Sequence, residues 1–155
     1  TLADGPGLYS AWQRARHHDA SVDRRVVRLP VSEAEFLAQF AEVLRRADSA
    51  TFVAEMDGRP AGFISGGIEQ NPPDRLPRRH ATIGYLYVEE DARRRGAGRA
   101  LFEAVAGWAG GTEGVAHFEM AVISADEAAA AFWRSLGFTP FISRLWAPLP
   151  VEDIE

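Results

Sequence analysis

Val88-Glu89-Glu90-Asp91-Ala92-Arg93-Arg94-Arg95-Gly96-Ala97-Gly98-Arg99-Ala100-Leu101 decides the reading of this 155-residue chain. The segment passes from a strand end through a glycine loop into an amphipathic helix, which is how a phosphate cradle is built. Glycine lets the backbone approach an anion closely, and the unpaired N–H groups of a helix's first turn point at it. Four arginines, Arg93, Arg94, Arg95 and Arg99, crowd that helix start. Each cation at the positive end of a helix should cost roughly 0.3–1 kcal/mol. A bound polyanion reverses the penalty, so the residues themselves ask for one.

Working outward, residues 80–88 alternate as a strand that enters the loop, and Leu101, Val105 and Trp108 mark one face of the helix that leaves it. Gly110-Gly111 stops this helix, and residues 115–123 read as the next strand, completing a β-loop-α-β unit. Upstream, residues 51–56 and 60–68 flank Asp57-Gly58, the signature of an antiparallel hairpin. A rigid surface loop follows at 70–79, with three prolines and three arginines. Ser32 and Glu35 form a capping box ahead of Phe36, Phe40, Val43, Leu44 and Ala47 on one helical face. Before it, Leu8, Trp12 and Ala15 predict a first helix of modest length that fades into the polar stretch 16–25. Downstream, Asp126 caps a helix with Ala129, Phe132, Trp133 and Leu136 inward and Gly137 at its end, and residues 138–146 read as a last strand.

Composition sets the bounds. At 46% hydrophobic residues and without a run long enough to cross a bilayer, residues 1–155 are expected to form one domain with a real core and no membrane partner. The formal charge of −5 sets the chain as a whole against a phosphate backbone, so no nucleic-acid partner is expected even though Arg78 and Arg79 join Arg93 to Arg95 in a basic group. Any anion site must be local. Cysteine is absent, which removes disulfides, thiolate metal sites and cysteine nucleophiles and fits a reducing, cytoplasmic compartment. No signal-peptide succession is present, and the missing initiator Met is expected of a processed or trimmed start.

Two other glycine loops do not fit. A dinucleotide-binding turn needs a third glycine or alanine where Leu101 stands and belongs early in the chain, not after an antiparallel hairpin. A Walker loop needs Gly-Lys-Ser/Thr, which is missing. The segment instead resembles the acetyl-CoA signature of the GNAT N-acetyltransferase superfamily, Gln/Arg-x-x-Gly-x-Gly/Ala, met by Arg93, Gly96 and Gly98. Leu86-Tyr87-Val88 resembles that family's fourth strand. The run from Ala129 to Phe138 resembles its later Ala-x-x-Phe-(Tyr)-x-x-x-Gly-Phe stretch, and the order of elements agrees from about Tyr9 to Trp146.

The resemblance implies an α/β fold of α+β type, with a mixed, mostly antiparallel central sheet flanked by about four helices. It implies acetyl transfer from acetyl-CoA to a primary amine of a small molecule, peptide or protein by direct attack, without a metal. Backbone N–H groups of Arg94, Arg95, Gly96, Ala97, Gly98 and Arg99 would hold the pyrophosphate, and Arg93 fills the motif position. The end of the fourth strand, Leu86, Tyr87 and Val88, would pair with the pantetheine arm, with Asp126 and Trp133 also at the coenzyme.

This sequence departs from the pattern at its acid–base positions. Where many relatives place a strand carboxylate it has Gly84 and Tyr85, and where they present a tyrosine it has Trp133, whose indole N–H is no general acid. Asp126 replaces a common asparagine, keeping an acceptor and a helix cap while losing a donor. Glu119, acting through water, and the hydroxyl of Tyr85 are the candidate catalytic groups, with Tyr87 nearby. His17 and His18 fall near the acceptor wall, with Trp12 and Phe36 either in that wall or in the core. The alternative to an enzyme is an acyl-CoA-binding regulatory module with weakened chemistry. A homodimer paired through Phe141, Leu145 and Trp146 on the last strand is the expected assembly, if there is one.

Overall fold

Asp57 and Gly58 both take positive φ, 52° and 72°, which is the backbone twist a two-residue hairpin turn requires. In the computed structural model, which describes residues 1–149, this turn joins β1 (Ser49–Met56) to β2 (Arg59–Gln70). β2 runs antiparallel to β3 (Arg79–Val88), and β4 (Val115–Glu119) lies parallel to β3, giving the sheet order β1-β2-β3-β4. The parallel step needs a crossover, and α3 (Ala97–Gly110) supplies it. The other helices are α1 (Gly5–Val22), α2 (Glu33–Arg45) and α4 (Glu127–Ser135). No helix of the described residues is long and apolar enough to cross a membrane.

Alternation along β2 sends neighbouring side chains to opposite faces. Phe63 packs with Leu8, Ala11 and Phe40 of α1 and α2, while Ile64 packs with Leu101 and Val105 of α3 and Trp133 of α4. Gly66 brings α3 close, since a Cβ there would lie 2.5 Å from the side chain of Val105. One irregularity matters for the site. Ser65 pairs with Tyr85 but Gly66 pairs with Ile83, so Gly84 is an extra residue in β3. The Tyr85 N–H donates to Ser65 Oγ at 3.0 Å, which satisfies a donor that the bulge takes out of the ladder. The bulge also shifts the alternation: Ile83, Leu86 and Val88 lie toward α3, whereas Tyr85 and Tyr87 lie toward α1.

Three expectations are corrected. The first helix does not fade at residue 16 but runs to Val22, because its polar residues find partners. Arg16 is buried, donates to the Leu29 carbonyl at 2.6 Å and lies 4.3 Å over the Trp12 ring, and Asp19 pairs with Arg28 at 3.0 Å. The strand expected over 115–123 ends at Glu119. Residues 138–146 form no strand: Phe141, Ile142, Leu145 and Trp146 are exposed. Pro140 lacks a ladder donor, and guanidinium contacts from Arg75 to Phe141 and from Arg25 to Trp146 hold the segment instead. The final strand on which a homodimer was expected is therefore not present in the described chain.

Candidate active site

β3 and β4 pair at Arg79 with Val115, Ala81 with Phe118 and Thr82 with Glu119, and no further. Beyond Thr82 the two chains part. The gap between residues 83–88 of β3 and residues 120–124, which follow β4, opens into a groove of about 1740 Å³ with no ladder pairing across it.

The loop at one end of this gap is shaped by the glycines. Glu90–Ala92 makes a single 3₁₀ turn closed by the Arg93 N–H on the Glu90 carbonyl. Arg94 and Gly96 then take left-handed backbone, φ 60° and 87°, a reversal that turns successive N–H groups into one concavity. Gly96 caps α3, and the first ladder bond of the helix to reach it comes from Ala100, at 3.0 Å. The N–H groups of residues 94–99 have no acceptor among the described residues. Six adjacent free donors at a helix start fit a diphosphate. Arg93 folds back, its Nε donating to the Val88 carbonyl at 2.9 Å, and so ties the loop to the end of β3.

The structure brings most of the expected residues to this groove. Tyr85, Leu86, Tyr87 and Val88 form one side, Arg93, Arg94, Gly96, Gly98 and Arg99 the loop end, and Asp126 and Trp133 the opposite wall. Trp133 is only 6% exposed, set edge-on among Phe102, Phe132 and Phe138. Arg95 belongs to a smaller depression with Asp57 and Asp91, and Ala97 does not line the groove.

Glu119 is not brought in. Its carboxylate bonds to Arg75 and to the His117 ring, and His80 lies within 4.0 Å. The His117 bond holds it below the usual carboxylate range against the effect of burial, with His80 and Arg75 adding to the lowering. Of the tyrosines, Tyr87 is pushed above its ordinary range by burial and by Glu89, whose carboxylate lies 3.4 Å from its hydroxyl. The Tyr85 hydroxyl has no hydrogen-bond partner among the described residues.

One relation was missed by sequence reasoning. His18 of α1 and Asp126 at the start of α4 both line the groove, with Nε2 2.8 Å from Oδ2. They stand 108 positions apart, and no spacing rule links them. Burial pushes the Asp126 carboxyl up, but the Ala129 N–H and the His18 ring bonded to it, with Arg93 near, hold it below the usual range.

A strand-loop-helix anion cradle beside two parting parallel strands is matched at the sequence level: the model of the acetyltransferase (GNAT) family covers residues 11–138. The chain belongs to the GNAT family. Its fold is shared by solved structures of low sequence identity. A tetramutant of the BH1408 protein from Bacillus halodurans is 21% identical, with a TM-score of 0.83 over 96% of each chain. The aminoglycoside 6'-N-acetyltransferase AAC(6')-IG from Acinetobacter haemolyticus is 18% identical, with a TM-score of 0.67 over 80% of this chain and 86% of that one. AAC(6')-Iy, in complex with the bisubstrate analog CoA-S-monomethyl-acetylneamine, is 20% identical, with a TM-score of 0.68 over 83% and 87%. No curated protein matches the chain significantly.

Proposed function

We propose that this GNAT protein is an acetyl-CoA-dependent N-acetyltransferase that acetylates a primary amine of a small molecule or peptide by direct attack. The observation that carries this reading is the row of free N–H groups at residues 94–99, which opens into the gap where β3 and β4 part after Thr82 and Glu119. Acetyl-CoA, when bound, supplies the thioester. The N–H groups of Arg94, Arg95, Gly96, Ala97, Gly98 and Arg99 hold its pyrophosphate, and Arg93 fixes their loop. Leu86, Tyr87 and Val88 offer strand edge to the pantetheine, and Asp126 and Trp133 close the far wall.

A backbone donor near Val88, aimed at the thioester oxygen, lowers the barrier by roughly 2.7–4 kcal/mol when well placed. Tyr85 is the groove hydroxyl free to protonate the departing sulfur. Glu119 has no part in this reading, because its carboxylate is engaged outside the groove. Small-molecule acceptors are favoured by the aminoglycoside acetyltransferases that share the fold. A cytoplasmic setting belongs to the same proposal.

The test is calorimetry with acetyl-CoA followed by thiol release with neamine, ethanolamine and a lysine-containing peptide. Saturable binding and release with at least one amine is the expected result. Binding without release for any of them points to an acyl-CoA-binding regulatory module, and no binding overturns the site.

A further inference from the structure

The groove holds a titratable pair that the family motifs do not call for. His18 Nε2 lies 2.8 Å from Asp126 Oδ2, while Asp126 Oδ1 accepts the Ala129 N–H at 2.9 Å and caps α4. A cap needs only one carboxylate oxygen, so the second is left to grip a ring brought from α1. The carboxylate side chain is 12% exposed and the imidazole 49%, which sets a buried anchor behind a solvent-reachable base.

The pairing fixes the tautomer. An ionised carboxylate can only accept, so Nε2 carries the proton and Nδ1 carries the lone pair. Nδ1 has no hydrogen-bond partner among the described residues. The other carboxylates on the groove wall, Asp19 and Asp23, are taken by Arg28 and Arg25. The cations on the groove wall are Arg93, which acts on Asp126, and Arg94, Arg99 and Arg144, besides the paired Arg25 and Arg28, and the exposed Glu127 follows Asp126 in the chain.

We propose that His18, oriented by Asp126, is the base that deprotonates the acceptor amine. This rests on the transferase reading above. An alkylammonium cannot attack until it loses a proton, and alkylamines are almost wholly protonated at neutral pH. His18 Nδ1 takes one ammonium proton. The nitrogen lone pair then forms the C–N bond at the acetyl carbon as the C–S bond breaks, its electron pair leaving on sulfur. The second nitrogen proton ends on that sulfur as the thiol, and His18 returns its own proton to solvent. The sum is one amide, one thiol and one released proton. Asp126 is the positioning residue of the pair.

Two measurements test this. In the unliganded wild-type protein, nitrogen NMR of His18 in its neutral form should show the Nε2–H tautomer. Asp126→Asn keeps the α4 cap but turns an amide donor toward Nε2, so it should switch His18 to Nδ1–H. Kinetically, His18→Gln should still bind acetyl-CoA, yet lose about 10²-fold in kcat/KM with the alkylamines named above. The loss should be far smaller with hydroxylamine, which is largely neutral at pH 7. Asp126→Asn should show the same contrast between acceptors.

An Nδ1–H tautomer in the wild type, or an equal loss with hydroxylamine and alkylamines, overturns the proposal. Failure of the transferase reading looks different: the wild type releases no thiol with any amine, while the NMR arm still reports whether Asp126 sets the ring.

Discussion

Gly98 in the first turn of α3 stands against the ring of Phe132 in α4: a Cβ on Gly98 would lie 3.2 Å from Phe132 Cζ and 3.8 Å from the Val88 side chain. The anion cradle, the end of β3 and the far wall of the groove are therefore joined through a single missing methyl. Gly98→Val should push the start of α3 off α4 and carry the cradle with it. Acetyl-CoA affinity by calorimetry is expected to fall by more than about tenfold, the loss of one charge-assisted hydrogen bond or more, with far-UV CD preserved. Gly96 is the contrasting case, because nothing lies within 4 Å of its missing Cβ and its φ is +87°. Gly96→Ala should cost about 1 kcal/mol in urea unfolding, from left-handed backbone alone.

What was legible in the sequence was what depends on neighbours along the chain. The Ser32 and Glu35 capping box is present, with Glu35 N–H on Ser32 Oγ at 3.3 Å and Ser32 N–H on the Glu35 carboxylate at 2.7 Å. The Asp57-Gly58 turn and Gly96 follow the same rule, since positive φ there is written in residue type, whereas the φ of 60° at Arg94 is not. What depends on distant partners was not legible. The last turns of α1 persist because Arg16 and Asp19 find Leu29 and Arg28 across a turn. Glu119 leaves the site because Arg75, 44 residues away, claims it. Residues 138–146 carry a strand pattern, but Pro140 and a five-residue β4 offer no complete ladder. The His18 and Asp126 pair needed the fold before it could be seen.

The Asp126 carboxyl is held below its ordinary range by the Ala129 N–H and the His18 ring, against burial. A depressed carboxylate contributes stability that is present above its unfolded pKa, about 3.9, and is lost as pH falls through the folded value. Urea midpoints of the wild type and Asp126→Asn should therefore differ most above about pH 4. Below that the two curves should converge, as the aspartate protonates and loses its advantage. Parallel curves down to the lowest pH would show that the carboxylate is not stabilised by the fold.

Trp133 occupies the centre of an aromatic cluster, with T-shaped contacts to Phe102 at 6.0 Å, Phe132 at 5.1 Å and Phe138 at 5.1 Å between ring centroids. Trp133→Ala should cost about 3–5 kcal/mol in urea unfolding, the range for deleting a buried aromatic. Trp133→Tyr should cost less and places a phenol where relatives of the motif carry one. If thiolate protonation limits the rate, that variant turns over faster than the wild type even though it melts lower; an unchanged kcat shows that protonation is not limiting.

Tyr85 follows the Gly84 bulge, and its main chain is held by Ser65 Oγ while its ring packs 6.5 Å from Phe63. The ring is thus fixed from behind, and its hydroxyl, on a residue of the groove wall, has no hydrogen-bond partner among the described residues. Tyr85→Phe removes only that atom, so acetyl-CoA binding and the melting temperature should stay near the wild-type values. A general acid contributes typically 10²–10⁴ in rate, but a thiolate with a reference pKa near 8.5 is already a competent leaving group. The expected loss in kcat is therefore about tenfold, below that range. It should shrink as pH rises and the free thiolate becomes stable in water. A loss that does not vary with pH would assign Tyr85 to acceptor packing instead of proton delivery, and a rise in KM at constant kcat would say the same from the other side.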